Sequence, residues 1–159
     1  MPVLFLSFVL AVNTLTNCSS PASNGNSNFS SANSTTVSKV VPKDNVEELA
    51  MMVKLPFEPE EVAWEEKATE GSLTAVIRFS PENAEKMSDE AAKNGAPTPE
   101  RLTVEAWYPA ELIAQSEMSG ESIVEGKSYP AGPFLNPPYT KGKITRIDNT
   151  DYFILQISS

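Results

Sequence analysis

Histidine is absent from this chain, and cysteine occurs once, at Cys18. A Ser-His-Asp or Cys-His nucleophile needs an imidazole to take its proton, so neither can be built. Sites that bind metal through histidine or through several cysteines are excluded with them, and an internal disulfide lacks its second thiol. Charge is missing from one end, since no Lys, Arg, Asp or Glu precedes Lys39. There is no basic run and no glycine-rich phosphate loop. Twelve Lys and Arg stand against 21 Asp and Glu, a formal charge of −9 that repels a phosphate backbone. Nucleic acid is therefore not expected as a partner. At 159 residues, the chain has room for one domain of ordinary size.

What is present divides into two unlike pieces. The first opens with Val3-Leu4-Phe5-Leu6-Ser7-Phe8-Val9-Leu10-Ala11-Val12, apolar apart from one hydroxyl. At about 1.5 Å per residue, this stretch covers roughly half of a ~30 Å hydrocarbon core, the length of a secretory h-region rather than of a permanent span. Residues 1–17 are expected to be a signal peptide.

Leu15-Thr16-Asn17-Cys18 follows two residues later. This tetrad resembles the lipobox of bacterial lipoproteins, in which a branched apolar residue and two further residues precede the cysteine that becomes the acylated N-terminus. The resemblance covers the first 18 residues only. It implies that the thiol of Cys18 carries a diacylglyceryl group, that the signal is cut before it, and that the freed amine takes a further acyl chain such as palmitate. Two or more chains give stable anchoring, because each buried methylene contributes about 0.8 kcal/mol and a single chain is marginal. The resemblance further implies a cell-envelope location, with the outer membrane favoured in a cell that has two membranes, because Ser19 rather than an aspartate follows Cys18. The domain would then face the periplasm or the exterior.

Residues 18–38 are mostly Ser, Thr and Asn. Such a tract buries too little to offset about 1–2 kcal/mol per residue of backbone ordering, so a disordered linker is expected, with an r.m.s. span of roughly 25 Å. Asn28-Phe29-Ser30 and Asn33-Ser34-Thr35 match the N-glycosylation pattern. They keep open an alternative in which the chain is a secreted eukaryotic glycoprotein.

From residue 39 to 159 the apolar residues become periodic, which predicts one globular domain. Asp44 is the expected cap of a short helix bearing Val46, Leu49, Ala50 and Val53 and ending at Leu55-Pro56. Strands over 61–68 and 73–79 around Glu70-Gly71 form a first expected hairpin. Ser80-Pro81-Glu82 supplies a cap, a proline at the first helical position and an acid in the first turn of a helix that carries Ala84, Met87, Ala91 and Ala92 and closes at Gly95. A strand is expected over 102–107 and a shorter helix over 110–117. Strands over 142–147 and 152–157 flank Asp148-Asn149-Thr150-Asp151 as a second hairpin. The predicted class is α+β: a single small domain with a largely antiparallel sheet and two or three short helices.

Candidates for chemistry are few. The carboxylates Glu58, Glu60, Glu61, Glu65 and Glu66 could place an acid and a base as glycosidases do, but they read equally as solvated strand and turn residues. The 148–151 turn offers oxygen ligands but too few carboxylates for a dedicated calcium loop. No metal site, no catalytic residue and no cofactor is expected. The segment Tyr129-Pro130-Ala131-Gly132-Pro133-Phe134-Leu135-Asn136-Pro137-Pro138-Tyr139 is rich in proline and aromatics. Stiffened loops with aromatic anchors suit partner binding, so Tyr129, Phe134 and Tyr139 are the candidate contacts; the alternative is that they tuck into the core. The expected role is a lipid-anchored, non-catalytic binding or structural domain. Its partners would be the membrane and another envelope protein or cell-wall component. An envelope hydrolase using carboxylates or a Ser-Lys pair is the alternative of a different class.

Overall fold

The computed structural model describes residues 41–159. The segments 1–17 and 18–38, with Cys18, Asn28 and Asn33, lie outside the described residues.

Glu61–Lys67 (β1) and Ser72–Arg78 (β2) pair antiparallel, from Glu61 opposite Arg78 to Lys67 opposite Ser72. Gly71 closes their turn at φ 59°, a left-handed conformation that costs glycine nothing. Lys141–Ile147 (β5) and Tyr152–Ser158 (β6) form the second expected hairpin, with Asn149 at φ 60° in its turn. β6 also pairs with β2, Ser72 opposite Ser158 and Arg78 opposite Tyr152, which joins the two hairpins into one sheet. The last strand of the chain thus lies inside the sheet, and Tyr152, Phe153, Ile154 and Leu155 are buried on both of its faces.

Thr98–Thr103 (β3) and Ile123–Pro130 (β4) complete six strands in the order β1-β2-β6-β5-β4-β3, every pair antiparallel. The strand expected at 102–107 lies at 98–103 instead. There only Leu102 is buried: an edge strand with Pro99 in it needs little apolar alternation, and the proline leaves fewer donors for a stray partner. β4 has no counterpart in the expected elements. Its buried positions are Val124, Gly126 and Ser128 on one face and Tyr129 on the other, so neither face carries a run of apolar side chains.

Three helices cover the sheet. α1 (Val46–Met52) is capped by Asn45, one residue later than expected, whose side chain accepts from the Glu48 amide at 2.8 Å. α2 (Pro81–Ala92) has its cap at Ser80 as its sequence predicts, with Ala84, Met87 and Ala91 buried. α3 (Ala110–Ser119) ends on Gly120 at φ 73°.

Strand alternation assigns the two faces. On one face, Trp64, Leu73, Ile77, Phe153, Leu155 and Ile144 pack against Leu49 of α1, Met87 of α2 and Phe134. On the other, Val76, Ile154, Ile147, Val124 and Leu102 pack against Leu112 of α3 and Tyr108. The α+β class is observed as a helix–sheet–helix sandwich with a core on each side of the sheet.

Candidate functional site

The Pro-rich segment carries the candidate contacts Tyr129, Phe134 and Tyr139. Tyr129 is 7 % exposed, Phe134 1 % and Tyr139 4 %, and all three belong to the core on the α1–α2 face. Pro130 ends β4, Gly132–Phe134 makes a single 3-10 turn, and the chain then returns to β5. The backbone amide of Lys54 donates to the Phe134 carbonyl at 2.9 Å, and Val53 and Leu135 form an isolated bridge. The segment therefore holds the end of α1 onto the sheet. Its aromatic rings point inward and cap the end of the core beneath the connection between the paired strands β4 and β5. Tyr139 Oη donates to Glu66 Oε1 at 3.1 Å. Burial first and the neighbouring Glu66 carboxylate second push this phenol up to about 12.

The sheet divides the acidic cluster of β1. Alternation sends Glu61 and Glu65 to the α3 face and Glu66 to the opposite one, so Glu65 and Glu66 cannot share a substrate. Glu61, Arg78 and Tyr152 stand in register across β1, β2 and β6. Tyr152 Oη lies 3.2 Å from Glu61 Oε2 and 3.3 Å from Glu111 Oε2 on α3, and one O–H serves both carboxylates. Burial, then Glu61 and Glu111, raise the Tyr152 pKa, since a phenolate there would meet two negative neighbours. Arg78 Nε lies 3.3 Å from Glu61 Oε2. Glu111 had no distinguishing mark in the sequence: it sits in the first turn of an ordinary helix.

The principal cleft lies elsewhere, on the α2 face at the end of the β5–β6 hairpin. It has a volume of about 710 Å³ and is lined by Glu85 and Ser88 of α2, Lys127 and Tyr129 of β4, Arg146 and Ile147 of β5, and the whole 148–151 turn. This is within the ~300–1,000 Å³ usual for small-ligand sites.

Its floor is Arg146. Arg146 Nη1 donates to Ser88 Oγ at 3.1 Å and Nη2 to Glu85 Oε1 at 2.8 Å, with Asp151 Oδ1 at 3.8 Å. Its guanidinium carbon stands 6.0 Å from the Phe153 ring centre. The hydrogen bond from Arg146 is the main reason that the Glu85 carboxyl lies below the usual carboxylate range. Two contacts to one helix turn fix the guanidinium plane, a role for a forked donor rather than a lysine.

Directly across the ladder from Arg146 is Lys127. Like charges in opposite positions are unfavourable unless counter-charges intervene. Arg146 has its acids, whereas Lys127 has no carboxylate within 4.0 Å among the described residues. The turn is braced through its backbone: Asp148 N donates to Glu125 O at 2.9 Å, Gln115 Nε2 donates to Asp148 O at 3.2 Å, and Thr150 Oγ1 donates to Ile147 O at 3.0 Å. The Asp148 and Asn149 side chains are left outside those hydrogen bonds.

A second cleft of about 460 Å³ lies between α1 and the 3-10 turn, lined mainly by Val53, Leu55, Pro56, Pro133 and Phe134. Glu61 and Glu111 line neither cleft. Among the described residues no group of three or more His, Cys, Asp and Glu is gathered to hold a metal ion. The 148–151 turn, weighed above for oxygen ligands, instead contributes one wall of the principal cleft. No protein-family model, curated protein or solved structure matches this chain.

Proposed function

We propose that this protein is a lipid-anchored component of the cell envelope, whose small acidic domain binds a hydrophilic ligand without transforming it. In this reading Met1–Asn17 is a cleaved signal, Cys18 carries the acyl chains, residues 18–38 are a leash, and the α2–hairpin cleft is the binding site. The observation that carries it is the position of the chain's one cysteine, immediately behind the apolar stretch and the Leu15-Thr16-Asn17 triplet. Among the described residues no helix is long and apolar enough to cross a membrane; in this reading the acyl chains on Cys18 make the attachment. The cleft supports the binding half, because its polar groups are rigidly based and several are unpaired.

The test uses the native gene with and without Cys18→Ala, followed by detergent phase partitioning and intact mass. The wild type is expected in the detergent phase, starting at residue 18 and heavier by two or three acyl chains, while the variant moves to the aqueous phase. Recovery of the wild type in the aqueous phase without acyl mass overturns the anchored reading.

A further inference from the structure

The unpaired groups of the principal cleft narrow the ligand class, and this step rests on that cleft being the binding site. Lys127 and Arg146 face each other across β4 and β5, and Asp148, the first residue of the turn after β5, continues the ladder through its amide bond to the Glu125 carbonyl and so lies one diagonal from Lys127. Diagonal neighbours on one face stand about 7–8 Å apart at Cβ. These two opposite charges are on one wall of the cleft, yet they form no ion pair with each other or with any other described side chain. Asn149, beside Asp148, adds an amide that can donate or accept.

A ligand of one sign fits poorly. A pure anion that reaches Lys127 meets Glu85, Asp148 and Asp151 around the same opening, and a pure cation that reaches Asp148 meets Lys127 and Arg146. A sugar face would want an exposed aromatic platform, but the aromatic residue of this lining, Tyr129, is buried. A ligand with both charges satisfies Lys127 and Asp148 together, whereas each single-sign alternative meets a like charge in the lining. An extended chain advances about 3.3–3.6 Å per residue, so the terminal charges of two linked amino acids span roughly the Lys127–Asp148 diagonal.

We infer that the cleft between α2 and the β5–β6 turn binds a short zwitterionic peptide, with Lys127 taking its carboxylate and Asp148 its ammonium. Arg146 is not the primary contact, because Ser88 and Glu85 already hold its forked donors; it forms the cleft's floor.

The experiment titrates the full acylated chain in detergent micelles with alanylalanine, its N-acetyl derivative and its C-terminal amide, following backbone amide resonances and calorimetric heat. Alanylalanine is expected to bind at least tenfold more tightly than either blocked form and to shift the amides of 127 and 146–151. In Lys127→Ala its affinity falls to that of the amide, and in Asp148→Asn to that of the N-acetyl form. Both positions are exposed, so both variants retain the fold. Equal affinity for the three probes, no binding of any of them, or shifts confined to another face overturns the zwitterion inference. The anchored reading is separate, because it stands or falls on the acyl mass at Cys18.

Discussion

Arg146 on β5 and Glu85 on α2 are 61 positions apart in the chain and 2.8 Å apart in space, and their contact closes the floor of the principal cleft. Through it the crossover helix is tied to the centre of the sheet, with Ser88 one helical turn along as the second anchor.

That contact lowers the titration of Glu85. Glu85 is held below the ordinary carboxylate value by its hydrogen bond from Arg146, and Glu82 by its hydrogen bond from Lys86. A lowered folded-state pKa contributes stability that is present above the unfolded value of 4.5 and lost as pH falls through the folded one. Carbon-detected NMR titration is expected to place both carboxyls below 4.5. Arg146→Gln should return Glu85, but not Glu82, to the ordinary range. If Glu85 keeps its low midpoint in that variant, the Arg146 contact is not its cause.

Phe134 tests the role of the Pro-rich segment. A fully buried phenylalanine truncated to alanine costs about 3–5 kcal/mol, a large share of the ~5–15 kcal/mol typical of a domain. Phe134→Ala is expected to lower stability by that amount in urea unfolding followed through the buried Trp64, whereas Pro137→Ala, at an exposed position, changes it by under about 1 kcal/mol. A stable Phe134→Ala variant that had lost a binding partner would return this ring to the surface.

Alkaline pH acts through the tyrosines. Tyr139 ionises at about 12 in the folded chain against 10.0 for the free phenol, and burial raises Tyr108 and Tyr152 as well. The unfolded chain releases these protons near pH 10, so their contribution is full below pH 10 and lost as pH rises to 12 and above. The urea midpoint is expected to fall steeply from pH 10 upward, and Tyr139→Phe should make that fall shallower between pH 10 and 12. Phenolate absorbance showing all the tyrosines ionising near pH 10 would contradict the burial described above.

The elements that were legible are those whose signals are local. Ser80-Pro81-Glu82 marks the start of α2 within three residues. The two hairpins carry alternating apolar residues on both sides of turn-forming residues. β4 was illegible because one of its buried faces is Val124, Gly126 and Ser128 and the other buries only Tyr129. At Gly126 the backbone of β5 approaches so closely that a Cβ would run into the Arg146 carbonyl. The requirement there is for absence of volume, which hydropathy does not register. The aromatics at 129, 134 and 139 were ambiguous in place, since a ring reads the same whether it anchors a partner or fills a core, and the structure buries all three.

By itself the sequence determined the absence of charge before Lys39, the acidic balance, the exclusion of imidazole and thiol-pair chemistry, and the α+β class, because composition and short-range periodicity act within a few residues. Only the tertiary structure decided which charges meet. Glu65 and Glu66, adjacent in the chain, are sent to opposite sides of a sheet by the period of two, while Glu85, Lys127, Arg146 and Asp148 are brought to one cleft by strand pairing and a crossover helix. Side-chain neighbourhoods at that range are properties of register and packing, which no local stretch of the chain encodes.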